Sequence, residues 1–274
     1  SADEMQAALA AIKTLLPELP QRRSRRWQHR QRGGQLAMRA ALRAASRKAG
    51  LVLPQFQTRQ TAPRPLVILC DISGSMEHYS RVMLHFIHGL TQHQPAVHSF
   101  LFGTKLTNIT RQMRQRDVDA AVQAISTSVA DWSGGTLIGS NLHRFNRDWS
   151  RRVLTGGASV ILITDGLDRT PDGDISALQR LHFEMERLHK SAYNLIWLNP
   201  LLRFDGFAPK SHSIQTMLPH VDDFLPMHSL QSIGDIADAM QMIGRRRSHE
   251  LICWQKLARD AGDTARRYIY YAQI

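Results

Sequence analysis

Two carboxylates and three hydroxyls occupy positions in this chain where they could gather round one ion. In LVILCDISGSM, residues 66–76, a run of apolar or small residues meets Asp71, and Ser73 and Ser75 follow on either side of Gly74. In ASVILITDG, residues 158–166, a second apolar run closes in Asp165 and a glycine. Thr136 stands in DWSGGTLIGS, residues 131–140, where Ser133 and two glycines give a tight loop. Ser73 and Ser75 on one turn can aim both hydroxyls to the same side, and Gly74 leaves room for the backbone. Oxygen donors of this kind suit a hard cation: Mg²⁺ takes an octahedral oxygen shell and keeps part of its water, with Mn²⁺ or Ca²⁺ as alternatives. If neutral hydroxyls touch the ion and the acids act mostly through water, the ion keeps much of its charge and an open position that attracts a carboxylate.

The elements that must carry these residues follow from hydrophobic patterning. Strands are expected at 66–71, 96–102, 105–109, 158–164, 193–198 and 221–225, and helices near 76–91, 117–127, 138–153, 174–190 and 229–243. Near-continuous apolar strands separated by helices mark an α/β fold: a doubly wound, mostly parallel sheet covered on both faces. The short FGTK link adds one antiparallel hairpin at an edge. Ligands in such folds collect at the carboxyl ends of the strands, where Asp71 and Asp165 both fall.

Before residue 64 the pattern differs. Met5, Leu9, Ile12 and Leu16 make a helical stripe over 3–16 that Pro17 and Pro20 stop, and 34–50 is a second helical pattern closed by Gly50. LPQFQTRQTAPRP then reads as an extended connector. The expected organisation is a helical, Arg-rich extension over 1–63, a domain over 64–243, and a helical extension over 244–274 with Leu251, Trp254 and Leu257 on its apolar side.

In order and placement, Asp71-x-Ser73-x-Ser75, Thr136 and Asp165 resemble the metal-ion-dependent adhesion site (MIDAS) of a von Willebrand factor A (VWA) domain. A finer resemblance, carried by GGTLIGSNLHRFNRDWSRRVL, ITDGLDR, LIWLNPLL and the VDDFLP run, is to the CoxE-like family of VWA proteins. It implies a cytoplasmic partner of a MoxR-type AAA+ ATPase, acting as a chaperone-like pair that matures or remodels a metalloenzyme such as a molybdenum-containing carbon monoxide dehydrogenase. It also implies a chain longer at its N-terminus, in keeping with a sequence that starts without methionine. Around the ion, Gly74, Met76, Trp132, Gly135 and Asp168 are candidates for contact with an acidic residue of a partner.

Composition narrows the classes. At 43% hydrophobic and 21% charged residues the chain is an ordinary globular one, and it contains no apolar run of the ~18 residues that a membrane span requires. Two cysteines, Cys70 and Cys253, make neither a disulfide framework nor a CxxC pair, which favours a reducing compartment and hence the cytoplasm. Residues 21–70 hold twelve Lys or Arg and no Asp or Glu, an excess equal to the formal net charge of +12. That block, with Arg22, Arg23, Arg25 and Arg26 at its head, can attract phosphates, dock on an acidic protein surface, or pair with acids of its own fold. Only Trp27 interleaves the first arginines, so the stacking platforms of a single-strand binder are missing; docking on a protein is preferred and nucleic acid is the alternative.

Plainer readings of the same residues exist. Asp71 and the serines could form a capped turn. Asp168 could be solvated or paired with Arg169, and Trp132 could be a packing aromatic. None of the thirteen histidines stands in an HExxH frame. There is no GxSxG elbow, no GxxxxGK[ST] loop and no acid at Ser73 for a DxD nucleophile, so a non-enzymatic role is expected and any ATP hydrolysis falls to a partner.

Overall fold

The computed structural model describes residues 21–47, 53–128, 135–169, 174–204, 206–227 and 250–260. The helices expected at 3–16 and 229–243 lie outside the described residues. The chain divides into two compact units, Pro20–Arg64 on the one hand and Ser1–Leu19 with Pro65–Ile274 on the other.

The smaller unit holds β1 (Gln21–Arg30), β2 (Gln35–Leu36), α1 (Met38–Arg47) and β3 (Phe56–Pro63), with the strands in the antiparallel order β1-β3-β2. The helix expected within 34–50 is present as α1, but the arginine run before it is a strand rather than part of a helical extension, and the presumed connector is its partner. The physical reason is that β1 is exposed along most of its length, so no apolar alternation marks it, and only backbone pairing with β3 holds it extended. Gly33 and Gly34 take positive φ in the turn between β1 and β2, where a Cβ on Gly34 would stand 2.7 Å from the Gln57 carbonyl oxygen.

The larger unit is built on a six-stranded sheet. Its elements run β4 (Leu66–Asp71), α2 (Glu77–His93), β5 (Val97–Phe102), β6 (Leu106–Asn108), α3 (Thr110–Met113), α4 (Val118–Ser128), α5 (Ile138–Asp148), α6 (Ser150–Val153), β7 (Ser159–Ile163), α7 (Ile175–Ser191), β8 (Asn194–Asn199), α8 (His212–Met217), β9 (Asp223–Pro226) and α9 (250–260). The sheet order is β6-β5-β4-β7-β8-β9, parallel except for the antiparallel edge strand β6. The α/β, mostly parallel architecture read from the sequence is therefore present.

Every residue of β4 is buried, as a strand between two parallel neighbours with helices on both faces must be. Ile68 and Cys70 point into one core with Met83, Ile87 and Leu90 of α2 and Ile125 of α4. Val67 and Leu69 point into the other, with Leu142 and Phe145 of α5 and Leu181 and Met185 of α7. Leu251 and Ala258 of α9 join this second core, and Trp254 packs edge-on against Phe207 at 5.5 Å.

The winding of the chain decides where a site can form. From β4 it passes to β5 on one side, and later returns to lay β7 on the other. The loops after β4 and β7 thus leave in diverging directions and open a crevice at their carboxyl ends. Because Leu69 is fully buried in the central strand, Leu69→Ala should cost about 2–5 kcal/mol of unfolding free energy, read from the shift of the urea midpoint at constant m.

Candidate metal centre

Asp71 is the last residue of β4, and its side chain is fully buried. Its Oδ1 accepts the Ser73 backbone N–H at 2.9 Å, the closed turn of the plainer reading. The Thr136 hydroxyl donates to the same carboxylate, 3.1 Å from Oδ1 and 3.3 Å from Oδ2, and the Thr164 hydroxyl donates to Oδ2 at 2.8 Å. Three separate loops thus converge on one acid.

Thr164 is the residue that sequence reasoning missed. β4 and β7 pair Cys70 with Ile163, so the next residues, Asp71 and Thr164, come side by side at the strand ends. A hydroxyl closing an otherwise apolar strand was the available signal. Asp165, one residue further, is 2% exposed, and its Oδ1 accepts the Leu167 N–H at 2.9 Å.

A second tier of bonds fixes the loops. The Trp197 indole donates to the Thr164 carbonyl at 2.9 Å, the Asn199 amide to the Asp165 carbonyl at 3.0 Å, and the Ser213 hydroxyl to the Gly166 carbonyl at 2.6 Å. Gly166 has φ +78°, and a Cβ there would stand 2.6 Å from the Trp197 ring, so both backbone and space require glycine. On the Thr136 side, Leu137 N–H and the Asn141 amide both donate to the Gly103 carbonyl, at 3.1 and 2.7 Å. Arg169 N–H donates to the Thr136 carbonyl at 2.9 Å, which ties the second loop to the third.

The other expected residues are distributed unevenly. Ser73 is buried and Gly74 exposed; the Ser75 side chain and Trp132 lie outside the described residues. Met76, expected at a partner surface, is fully buried: the one-turn helix Gly74–Met76 directs its side chain into the core beneath α2. Gly135 leaves space for Arg169, whose Cδ would stand 1.9 Å from a Cβ placed there. Asp168 is half-buried rather than a solvated loop acid, with Gly139 N–H at the start of α5 3.5 Å from its Oδ2. Arg22, Arg23, Arg25 and Arg26 all fall on β1, in the other compact unit.

Burial pushes the Asp71 carboxyl up to about 6, and the charge of Asp165 adds to the rise; the Ser73 N–H and the Thr164 hydroxyl pull the other way. Among the described residues, the groups that shift this buried acid are neutral donors and another acid, none of them a cation. Hydroxyls that donate to Asp71 keep lone pairs with which to meet a cation. Among the described residues no three His, Cys, Asp or Glu come together, so a nitrogen or sulfur cage of the zinc kind is not formed by them. The donors present therefore fit a hard cation bound through carboxylate, hydroxyl and water. Burial also pushes the neighbouring Cys70 thiol well above its usual range, so it is not a nucleophile here.

No curated protein shows significant similarity in sequence. Several solved structures match part of the chain at low identity. Proximal thread matrix protein 1 from the mussel byssus, in a form with a zinc-occupied MIDAS motif, is 14% identical with a TM-score of 0.41, covering 66% of this chain and 47% of that one. An aerotolerance-related membrane protein from Bacteroides fragilis is 14% identical, TM-score 0.41, covering 65% and 98%. The PilB minor pilin from Streptococcus sanguinis is 10% identical, TM-score 0.44, covering 70% and 71%. The chain thus spans less than half the length of the mussel protein. The family model for VWA domain containing CoxE-like proteins matches residues 5–233, most of the sequence, and the chain belongs to that family.

Proposed function

We propose that this protein is a non-enzymatic, metal-dependent interaction module in which Asp71, Ser73, Ser75, Thr136 and Asp165 hold a divalent cation, Mg²⁺ in the first instance. VWA domains typically bind other proteins rather than catalyse, which supports the reading. The observation that carries it is the burial of Asp71 with the hydroxyls of Thr136 and Thr164 turned onto its carboxylate and the charge of a second acid, Asp165, acting on it. A bound cation would supply a positive charge with a coordination position open to a carboxylate oxygen. Thr136 and Thr164 hold the Asp71 carboxylate in place, and Asn199 and Ser213 keep the Asp165 loop from relaxing when a partner arrives.

The partner in this reading presents an acidic side chain. Membership of the CoxE-like family supports a MoxR-type AAA+ ATPase as co-worker, with a cytoplasmic metalloenzyme, such as a molybdenum-containing carbon monoxide dehydrogenase, as client. No helix among the described residues is long and apolar enough to cross a membrane.

Asp71→Asn removes the charge and keeps one oxygen for the Thr164 and Thr136 hydroxyls, at the loss of the acceptor for the Ser73 N–H. It should lower the Tm of the metal-free protein while keeping a cooperative unfolding transition, yet abolish both the Mg²⁺-induced rise in Tm and Mg²⁺-dependent retention of the partner ATPase on a column. Retention unchanged by Asp71→Asn and by EDTA would sink the proposal.

The raised carboxyl sets a pH window. A cation needs Asp71 ionised, so its affinity should be flat above about pH 6 and fall roughly tenfold per unit below that, when titrated calorimetrically between pH 5 and 7.5. Without metal the sign reverses: the folded state holds this proton more tightly than the unfolded chain, so this group's contribution to stability declines as pH rises from about 4 through 6.

A further inference from the structure

The smaller unit presents a second surface with a different chemistry. Residues 21–64 carry all twelve cations of the basic block and no acid, so nothing within the unit neutralises them. Strand pairing sorts part of this charge onto one face. β1 and β3 set Arg23 beside Thr61 and Trp27 beside Arg59, and β2 sets Gln35 beside Gln57. These six residues line a cavity of about 670 Å³, the size of a small-ligand pocket. Trp27 is 41% exposed, and the Arg59 guanidinium lies over its ring at 5.1 Å. The platform that seemed missing from the linear arginine run is thus assembled from two strands: an indole and a guanidinium stacked together, flanked by amides and a further arginine.

We infer that this face binds single-stranded nucleic acid, with Arg23 and the neighbouring arginines of β1 on the phosphates, a base stacked on the Trp27–Arg59 pair, and Gln35 and Gln57 at its edge. An acidic peptide would use the arginines alone and leave the indole, the amides and the cavity without a role. A nucleotide chain uses all of them, because every base has a face to stack and an edge to hydrogen-bond. A duplex keeps its bases stacked on one another and cannot enter the cavity without opening. The inference does not rest on the metal centre and survives if that reading fails.

The test is fluorescence anisotropy of the full chain with labelled ten-nucleotide oligo-U and oligo-dT, against a ten-base-pair duplex and polyglutamate, in EDTA throughout. Binding of the single strands at 50 mM salt should weaken as salt rises, with a log–log slope of about −0.7 per phosphate neutralised. Trp27→Ala should weaken it by roughly 5- to 150-fold, the loss expected for one stacked base, and Trp27→Phe should recover most of that. Arg23→Ala should flatten the salt slope by about 0.7. Circular dichroism melts of each variant separate loss of the face from loss of the fold. Failure of either oligonucleotide to bind would overturn the inference. So would polyglutamate or duplex binding as tightly as the single strands with no response to Trp27→Ala, which would assign the face to an acidic protein or to unselective charge.

Discussion

The larger unit is organised around a buried carboxylate at the end of its central strand. A buried acid costs several kcal/mol unless it is hydrogen-bonded or paired. The chain meets that cost at Asp71 with donors from three loops rather than with a basic side chain. Among the described residues, no basic side chain bonds to this carboxylate. An arginine in place of Thr164 would satisfy the acid permanently; two threonine hydroxyls satisfy it while leaving lone pairs for something else. The remaining features follow from holding those hydroxyls still: Trp197 and Asn199 on β8, Ser213 on α8, and the Gly103 carbonyl that anchors the segment carrying Thr136. The crevice exists because the chain turns opposite ways from β4, and the sheet's apolar strands exist to bring Asp71 to its rim.

The sheet was legible because its physics is one-dimensional. LVILCD and SVILI are apolar throughout, and a strand flanked on both sides and covered on both faces has no other composition open to it. The placement of Asp71 and Asp165 followed from the same runs. What the sequence hid depends on register or on the third dimension. Thr164 matters only because Cys70 pairs with Ile163, which sets Thr164 beside Asp71. Met76 looks like a loop residue, yet a single helical turn after Gly74 sends it inward. Between β8 and β9, where periodicity assigns nothing, Pro200–Arg203, His212–Met217 and Leu218–His220 form short helical turns, and Ser213 among them supports the site.

The arginine block was misread for the opposite reason. Helix and strand assignment by hydrophobic period needs one face buried, and β1 buries almost none. Its conformation is a consequence of backbone pairing with β3, whose partners, from Gln21↔Pro63 to Arg30↔Phe56, are too distant in sequence for the local pattern to report. Once paired, residues that look like a featureless charge run become a face with an aromatic centre. The +12 net charge therefore resides in one compact unit, while the unit that holds the paired acids is balanced. The buried acids at the strand ends and the basic face thus belong to different compact units of the chain.

The most direct test of the central claim is anomalous diffraction from crystals grown in Mn²⁺, recorded on the high-energy side of the manganese absorption edge. The account predicts one strong anomalous peak within coordination distance of oxygens from the loops that carry Ser73, Thr136 and Asp165. An ordered crevice with no peak at millimolar Mn²⁺, or a peak elsewhere on the molecule alone, would contradict it.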